Sequence, residues 1–187
     1  MSKKVLVPIA DGSEEIEAVC IIDVLRRAGA EVTVASVMPD LTVTASRGVK
    51  IVADKGIAEC ESEDYDLIAL PGGMPGAEHL RDSETLVRML KKQQEKGDLR
   101  GAICAAPAVV FERHGLLEGV RATAHPGFID KLDDTRALMD RVVVDGAVVT
   151  SRGPGTAIEF ALKLVALLYD ESAAGAIGEA MVAGKHA

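Results

Sequence analysis

The sequence predicts an α/β protein with a mainly parallel sheet and helices on both faces. Three observations point there. Apolar runs alternate with amphipathic stretches along the chain, the order that builds a parallel sheet through helical crossovers. The runs are apolar throughout rather than at every second residue, as strands buried on both sides are. The composition is 48% hydrophobic but only 3% aromatic, so the core rests on Ala, Val, Ile and Leu. At 187 residues the chain suits one substantial core, and residues 1–187 read as a single domain without linker, repeat or low-complexity segment.

Val5 to Ala10 reads as the first buried strand. Asp11-Gly12-Ser13 supplies a turn and cap, and a helix follows to about Ala28, ended by Gly29. Glu31 to Val37 forms the next strand, and short β pieces follow around Leu41-Thr42-Val43 and Val49 to Val52. Leu67 to Leu70 is a strand that stops at Pro71-Gly72-Gly73, and a polar-faced helix over 83–95 ends at Gly97. The apolar run into Cys104 is another strand, and Ala105-Ala106-Pro107 allows a sharp turn into a helix start. Val120 to Ala124 is expected as a further strand. Asp145-Gly146 joins Arg141–Val144 to Val148–Thr150 as a hairpin. Pro154-Gly155-Thr156 opens an apolar helix to Tyr169, and an Ala-rich helix comes last. Ligands of such sheets gather beyond the carboxyl ends of the strands, so residues 11–13, 71–73 and Cys104 should share one edge.

Composition excludes several classes of function. A net charge of −8 argues against binding a phosphate backbone, so no nucleic-acid partner is expected. The chain starts straight into a strand and holds no apolar run of bilayer length, which predicts neither a signal peptide nor a membrane partner. Three cysteines cannot all pair with one another, which fits a reducing, cytoplasmic setting. Without CxxC, HExxH, GxGxxG or a P-loop, neither a metal nor a nucleotide cofactor is expected.

Chemistry concentrates at a few residues. A thiol on the corner at Cys104 would sit by the positive end of a helix, which favours thiolate; the plainer alternative is a small core cysteine. Cys20 reads as packing, and Cys60 lies between two glutamates that disfavour its thiolate. On a helical wheel Glu17 shares its stripe with Ile21, Val24 and Ala28, so it is a carboxylate on a buried face. Such an acid stays protonated to higher pH and can donate a proton, unless it snorkels or meets Arg27 or Arg47. Glu14 and Glu15 are explained by the helix dipole.

The bare amides of Pro71-Gly72-Gly73 could meet a developing oxyanion, or simply make a turn. His125, at a strand end before Pro126, is a candidate proton carrier or an ordinary packed histidine. Ser151 to Thr156 resembles an anion-binding turn. Val19 and Ile22 make the first helix apolar on its other side too, which predicts a homodimer through that helix or cover from the same chain.

Five segments together resemble the ThiJ/PfpI superfamily, in the branch of the parkinsonism-associated deglycase and its bacterial relatives. They are Asp11 to Glu17, Asp23 to Gly29, Leu70 to Gly73, Ala102 to Pro107 and Thr150 to Thr156. The resemblance implies a flavodoxin-like three-layer sandwich and a homodimer. It implies Cys104 as nucleophile, Glu17 as the acid beside it, and Gly72, Gly73 and Ala105 as oxyanion amides. His125 matches the nearby histidine, and Arg27 and Arg47 match arginines at the pocket or dimer rim. Members are described as cofactor-independent glyoxalases of the lyase type acting on small reactive aldehydes, as deglycases, and as peroxide sensors or chaperones using the same cysteine.

Departures from the family pattern are also informative. Ala105 stands where protease-like branches carry histidine, which disfavours a cysteine protease. Met74 replaces a familiar asparagine, and Ala45 and Val52 stand where auxiliary cysteines occur. Nothing supports an older thiazole-biosynthesis label.

Overall fold

A computed structural model describes residues 2–134 and 136–184. Its strands are β1 (Lys4–Ile9), β2 (Glu31–Ser36), β3 (Thr42–Thr44), β4 (Lys50–Val52), β5 (Lys55–Gly56), β6 (Leu67–Leu70), β7 (Leu99–Ile103), β8 (Val142–Asp145) and β9 (Val148–Ser151). Its α-helices are α1 (Glu15–Arg27), α2 (Gly76–Asp82), α3 (Glu84–Lys96), α4 (Ala157–Leu168) and α5 (Glu171–Ala180). Seven strands form one sheet in the order β5-β2-β1-β6-β7-β9-β8, parallel except for the β8–β9 hairpin. The expected α/β class, with a mostly parallel sheet between helices, is what the chain adopts.

Strand β1 shows why both faces need cover. Val5, Val7 and Ile9 join Ile21, Val24 and Leu25 of α1 and Phe160 and Leu164 of α4 in one core. Leu6, between them, packs on the other side with Ile68, Leu86, Leu90 and Phe111. Successive side chains point to opposite faces, so a strand between two helical layers must be apolar at every position. β3 and β4 pair only with each other, and this hairpin docks on the β1–α1 turn. Gly12 N donates to Thr44 O at 2.8 Å and Thr44 N to Asp11 Oδ1 at 2.7 Å. The carboxyl ends of β1, β6 and β7 therefore meet at one edge beside that hairpin.

Several local expectations are corrected. Val120 to Ala124 is not a strand, because β9 already occupies the hydrogen-bonding edge of β7 beyond β6. The segment is fastened instead by Thr123 N to Thr150 Oγ1 at 2.9 Å and His125 N to Cys104 O at 2.8 Å. The cap of α1 is Glu14, whose carboxylate accepts from Glu17 N at 2.9 Å, whereas Ser13 Oγ turns back to Ala10 N at 3.0 Å. The helix expected after Cys104 does form from Ala106, but it winds irregularly, as a π-helix over Pro107–Phe111 and a 3-10 turn over Glu112–His114, before Gly115. In the late hairpin Asp145 pairs with Val148, so Gly146-Ala147 forms the loop, one residue later than expected. Helix α2 and the two-residue β5 were not expected. Among the described residues no helix is long and apolar enough to cross a membrane.

Candidate active site

Cys104 directly follows β7, and its backbone has φ 64°, a left-handed conformation uncommon outside glycine. The corner is held on two sides: Cys104 N donates to Ser151 O at 2.9 Å, and Cys104 O accepts from His125 N at 2.8 Å. Gly72 presses against it so closely that a Cβ there would lie 2.7 Å from Cys104 Cβ and 2.9 Å from Ala105 N. Only a residue without a side chain fits. Cys104 as a whole is left 8% exposed.

Glu17 reaches this corner from the first turn of α1 and is fully buried. Its Oε2 accepts from Gly72 N at 2.8 Å, while Oε1 is buried without a hydrogen-bond partner. The carboxyl faces the Cys104 thiol, and each group acts on the other's proton. Burial pushes Glu17 up to about 7, against the pull of the Gly72 amide and the thiol. Burial and then the charge of Glu17 push Cys104 up to about 12, against the amides of Gly73 and Ala105. Between those two values the pair holds one proton and one negative charge.

Burial and the charge of Glu17 thus oppose the thiolate that a helix end favours. The helix end itself is present, since the chain is helical from Ala106 to His114. When the shared proton sits on Glu17, the repulsion disappears and the Gly73 and Ala105 amides face a sulfur anion. The site is thus an acid–base couple in which carboxyl and thiol control each other's charge.

The other expected residues separate into those at the site and those away from it. Gly72 is corrected as an oxyanion donor, because its N–H is committed to Glu17. The Gly73 and Ala105 amides point at the sulfur. A cavity of about 270 Å³ opens above Cys104, walled by Gly73, Ala105, His125 and Arg47 together with Met74 and Phe128. Arg47 belongs to this wall because Glu15 accepts from Ser46 Oγ and Arg47 N, both at 2.8 Å, tying that loop to α1. Burial opposes the charge of Glu15, but these donors and its own amide outweigh it and hold the carboxyl below its usual range. Glu14 and Glu15 therefore do more than answer the helix dipole.

Arg27, expected at the pocket or dimer rim, lies away from the pocket of its own chain. It lies ten residues past Glu17 along α1, about 15 Å away, and binds Asp23 at 2.6 Å. His125 Nδ1 accepts from Gly127 N at 3.1 Å, so its neutral ring carries the proton on Nε2. The Cδ2 edge of that ring turns toward Gly153. The supposed anion-binding turn is closed from within, since Thr156 Oγ1 accepts from Gly153 N at 3.1 Å and Arg152 N at 3.3 Å. Sequence reasoning missed Phe128 and the cavity-facing role of Met74. The only sequence signal was their position just beyond Pro126-Gly127 and Gly72-Gly73.

The model for the DJ-1/PfpI family matches residues 3–167. The chain is 58% identical to Protein DJ-1 homolog B of Arabidopsis thaliana over 89% of its own length, but spans only 38% of that relative. It is 39% identical to the glutathione-independent glyoxalase DJR-1.2 of Caenorhabditis elegans, covering 89% of this chain and 88% of that one. The solved structure of oxidized Toxoplasma gondii DJ-1 superposes with a TM-score of 0.95 at 54% identity, covering 97% and 98% of the two chains.

The raised proton affinity of Glu17 carries a sign that can be measured. A carboxyl lifted from 4.5 to about 7 on folding stabilises the native state fully below pH 4.5, and that contribution is lost as pH rises through about 7. The loss amounts to about 3 kcal/mol. Glu17→Gln keeps the acceptor for Gly72 N and carries no charge, so urea unfolding should find it more stable than wild type at pH 8. The gap should shrink toward pH 5.

Proposed function

The chain belongs to the DJ-1/PfpI family, and from its paired thiol and carboxyl we propose a cofactor-free, glutathione-independent glyoxalase that converts methylglyoxal or glyoxal to the hydroxy acid. Glu17 carboxylate takes the Cys104 proton as the sulfur attacks the aldehyde carbon, and the carbonyl electron pair moves to oxygen. The developing alkoxide meets the amides of Gly73 and Ala105 and receives a proton from Glu17, giving a hemithioacetal. Glu17, again a carboxylate, removes the hydrogen on that carbon, and the electrons form an enediolate. Protonation of the neighbouring carbon leaves a thioester. Water cleaves it, releasing lactate from methylglyoxal or glycolate from glyoxal and restoring the thiol. His125 stands at the cavity mouth as a secondary proton carrier. Glycated side chains carry related hemiacetal carbons, which extends the reading to deglycation.

One observation carries the proposal: an acid poised near neutrality, with an unpartnered buried oxygen, beside the thiol. Such a group can take and return a proton within one turnover.

The same arrangement favours a second reading, peroxide sensing with altered partner binding or chaperone activity. Two equivalents of peroxide would each transfer one oxygen to Cys104 and leave as water. The Gly73 and Ala105 amides and protonated Glu17 would then hold the sulfinate.

A homodimer through α1 is part of the proposal. Ile16 and Val19 on that helix are 53% and 50% exposed, and Val49 and Val52 of the neighbouring hairpin region are 49% and 68% exposed. Those residues suit an interface that a second copy would cover.

Three measurements test these readings. Lactate should form from methylglyoxal without glutathione, vanish in Cys104→Ser, and slow by roughly 10²-fold or more in Glu17→Gln; turnover unchanged in Cys104→Ser would refute the mechanism. Intact mass after limiting peroxide should show two oxygens added at Cys104 alone, and oxidation spread evenly over Cys20, Cys60 and Cys104 would sink the sensor reading. Light scattering should give a dimer for wild type and a monomer for Val19→Asp.

A further inference from the structure

Beside the thiol cavity lies a second one of about 310 Å³, lined by His125, Pro126, Arg141, Arg152 and residues 153–156. His125 and Pro154 line both cavities. The strand ends make them neighbours, because the residue before Arg152 is Ser151, whose carbonyl accepts the Cys104 N–H. Arg141 is already neutralised, with Nε 2.8 Å from Glu159 Oε2. Arg152 is different. Its Nε is buried with no hydrogen-bond partner, and its guanidinium has only a 3.5 Å contact to Met139 O. No carboxylate pairs with it among the described residues.

An unpaired guanidinium in a cleft is notable in a chain of net charge −8, where seven other arginines form ion pairs. The backbone amides around it cannot serve an incoming ion, since Thr156 Oγ1 accepts those of Arg152 and Gly153. What remains is one net positive charge, which suits a monoanionic carboxylate rather than a phosphate dianion.

We propose that Arg152 forms a tail-binding subsite, and that the preferred substrates are 2-oxoaldehydes ending in a carboxylate, with the aldehyde at Cys104 and the tail beyond His125. The substrate class rests on the glyoxalase reading; the subsite itself does not. A carboxylate-bearing electrophile reaches the thiol with its charge held by Arg152, whereas a neutral one of equal size gains nothing there.

Two probes separate these layers. Alkylation of Cys104 by 5-iodo-4-oxopentanoate, which has its carboxylate as far from the reacting carbon as in the proposed substrates, and by the corresponding amide, followed by intact mass, needs no turnover. Arg152→Gln should lower the acid-to-amide rate ratio about five- to tenfold, and Arg152→Lys should restore part of it. Arg113→Gln, an exposed arginine outside both cavities that removes the same net charge, should leave the ratio unchanged. A ratio unmoved by Arg152→Gln, or lowered equally by Arg113→Gln, overturns the subsite.

Turnover of 4,5-dioxovalerate against the neutral 2-oxopentanal then reads the substrate class. Wild type should favour the carboxylate by kcat/KM, and Arg152→Gln should erase the preference. Equal kcat/KM for the two compounds in wild type overturns the class. Absence of turnover on either compound and on methylglyoxal defeats the glyoxalase reading, and the alkylation ratio still decides the subsite.

Discussion

A single proton held between a buried carboxyl and a buried thiol organises this end of the molecule. Neither Glu17 nor Cys104 can be charged cheaply where it stands, and together they carry one charge only above about pH 7. The surrounding chain is shaped to keep them in that relation. Cys104 is placed by a left-handed corner that Ser151 and His125 hold through backbone hydrogen bonds. Gly72 must lack a side chain to lie against that corner, and its amide must point at Glu17 for the acid to remain buried. The pair thus constrains residues from α1, the β6 turn and the β7 turn at once.

Much of this was legible in the sequence, for reasons that differ from residue to residue. Glu17 stood out because a carboxylate on a stripe with Ile21 and Val24 must snorkel, find a partner such as Arg27 or Arg47, or stay protonated. Cys104 stood out because an apolar run ending in Cys-Ala-Ala-Pro leaves little choice but a corner. The alternation of strands and helices carried the sheet. Other features depended on pairings that no local pattern encodes. The amide of Gly72 serves a carboxylate 55 residues away, and only the adjacency of β1 and β6 brings the two together. Val120 to Ala124 has the composition of a strand but no free strand edge to join beside β7. The helix after Cys104 was legible from Ala105-Ala106-Pro107, but no local pattern gave its π-helical and 3-10 winding. Arg27 was read by motif position, yet ten residues of helix separate it from Glu17 in the same chain.

The helix end after Cys104 and the acid beside it act on the sulfur in opposite senses. A thiol pushed up by burial and by its neighbour stays protonated until Glu17 accepts the proton. Reactivity is therefore conditional on the acid, and the acid is itself poised where small changes in its surroundings shift its proton occupancy. One pair can in this way support both proton shuttling on an aldehyde and retention of an oxidised sulfur.

The electrostatics of the wider chain sharpen this point. An acidic protein repels anions on average, so an anionic electrophile needs a local exception to reach the sulfur. Arg47 and Arg152 line the two adjoining cavities, and neither has an ion-pair partner among the described residues. Arg141, in the same region, has been neutralised by Glu159. With most arginines paired, these two leave positive charge in the cavities beside the reactive sulfur, where it favours the entry of an anion.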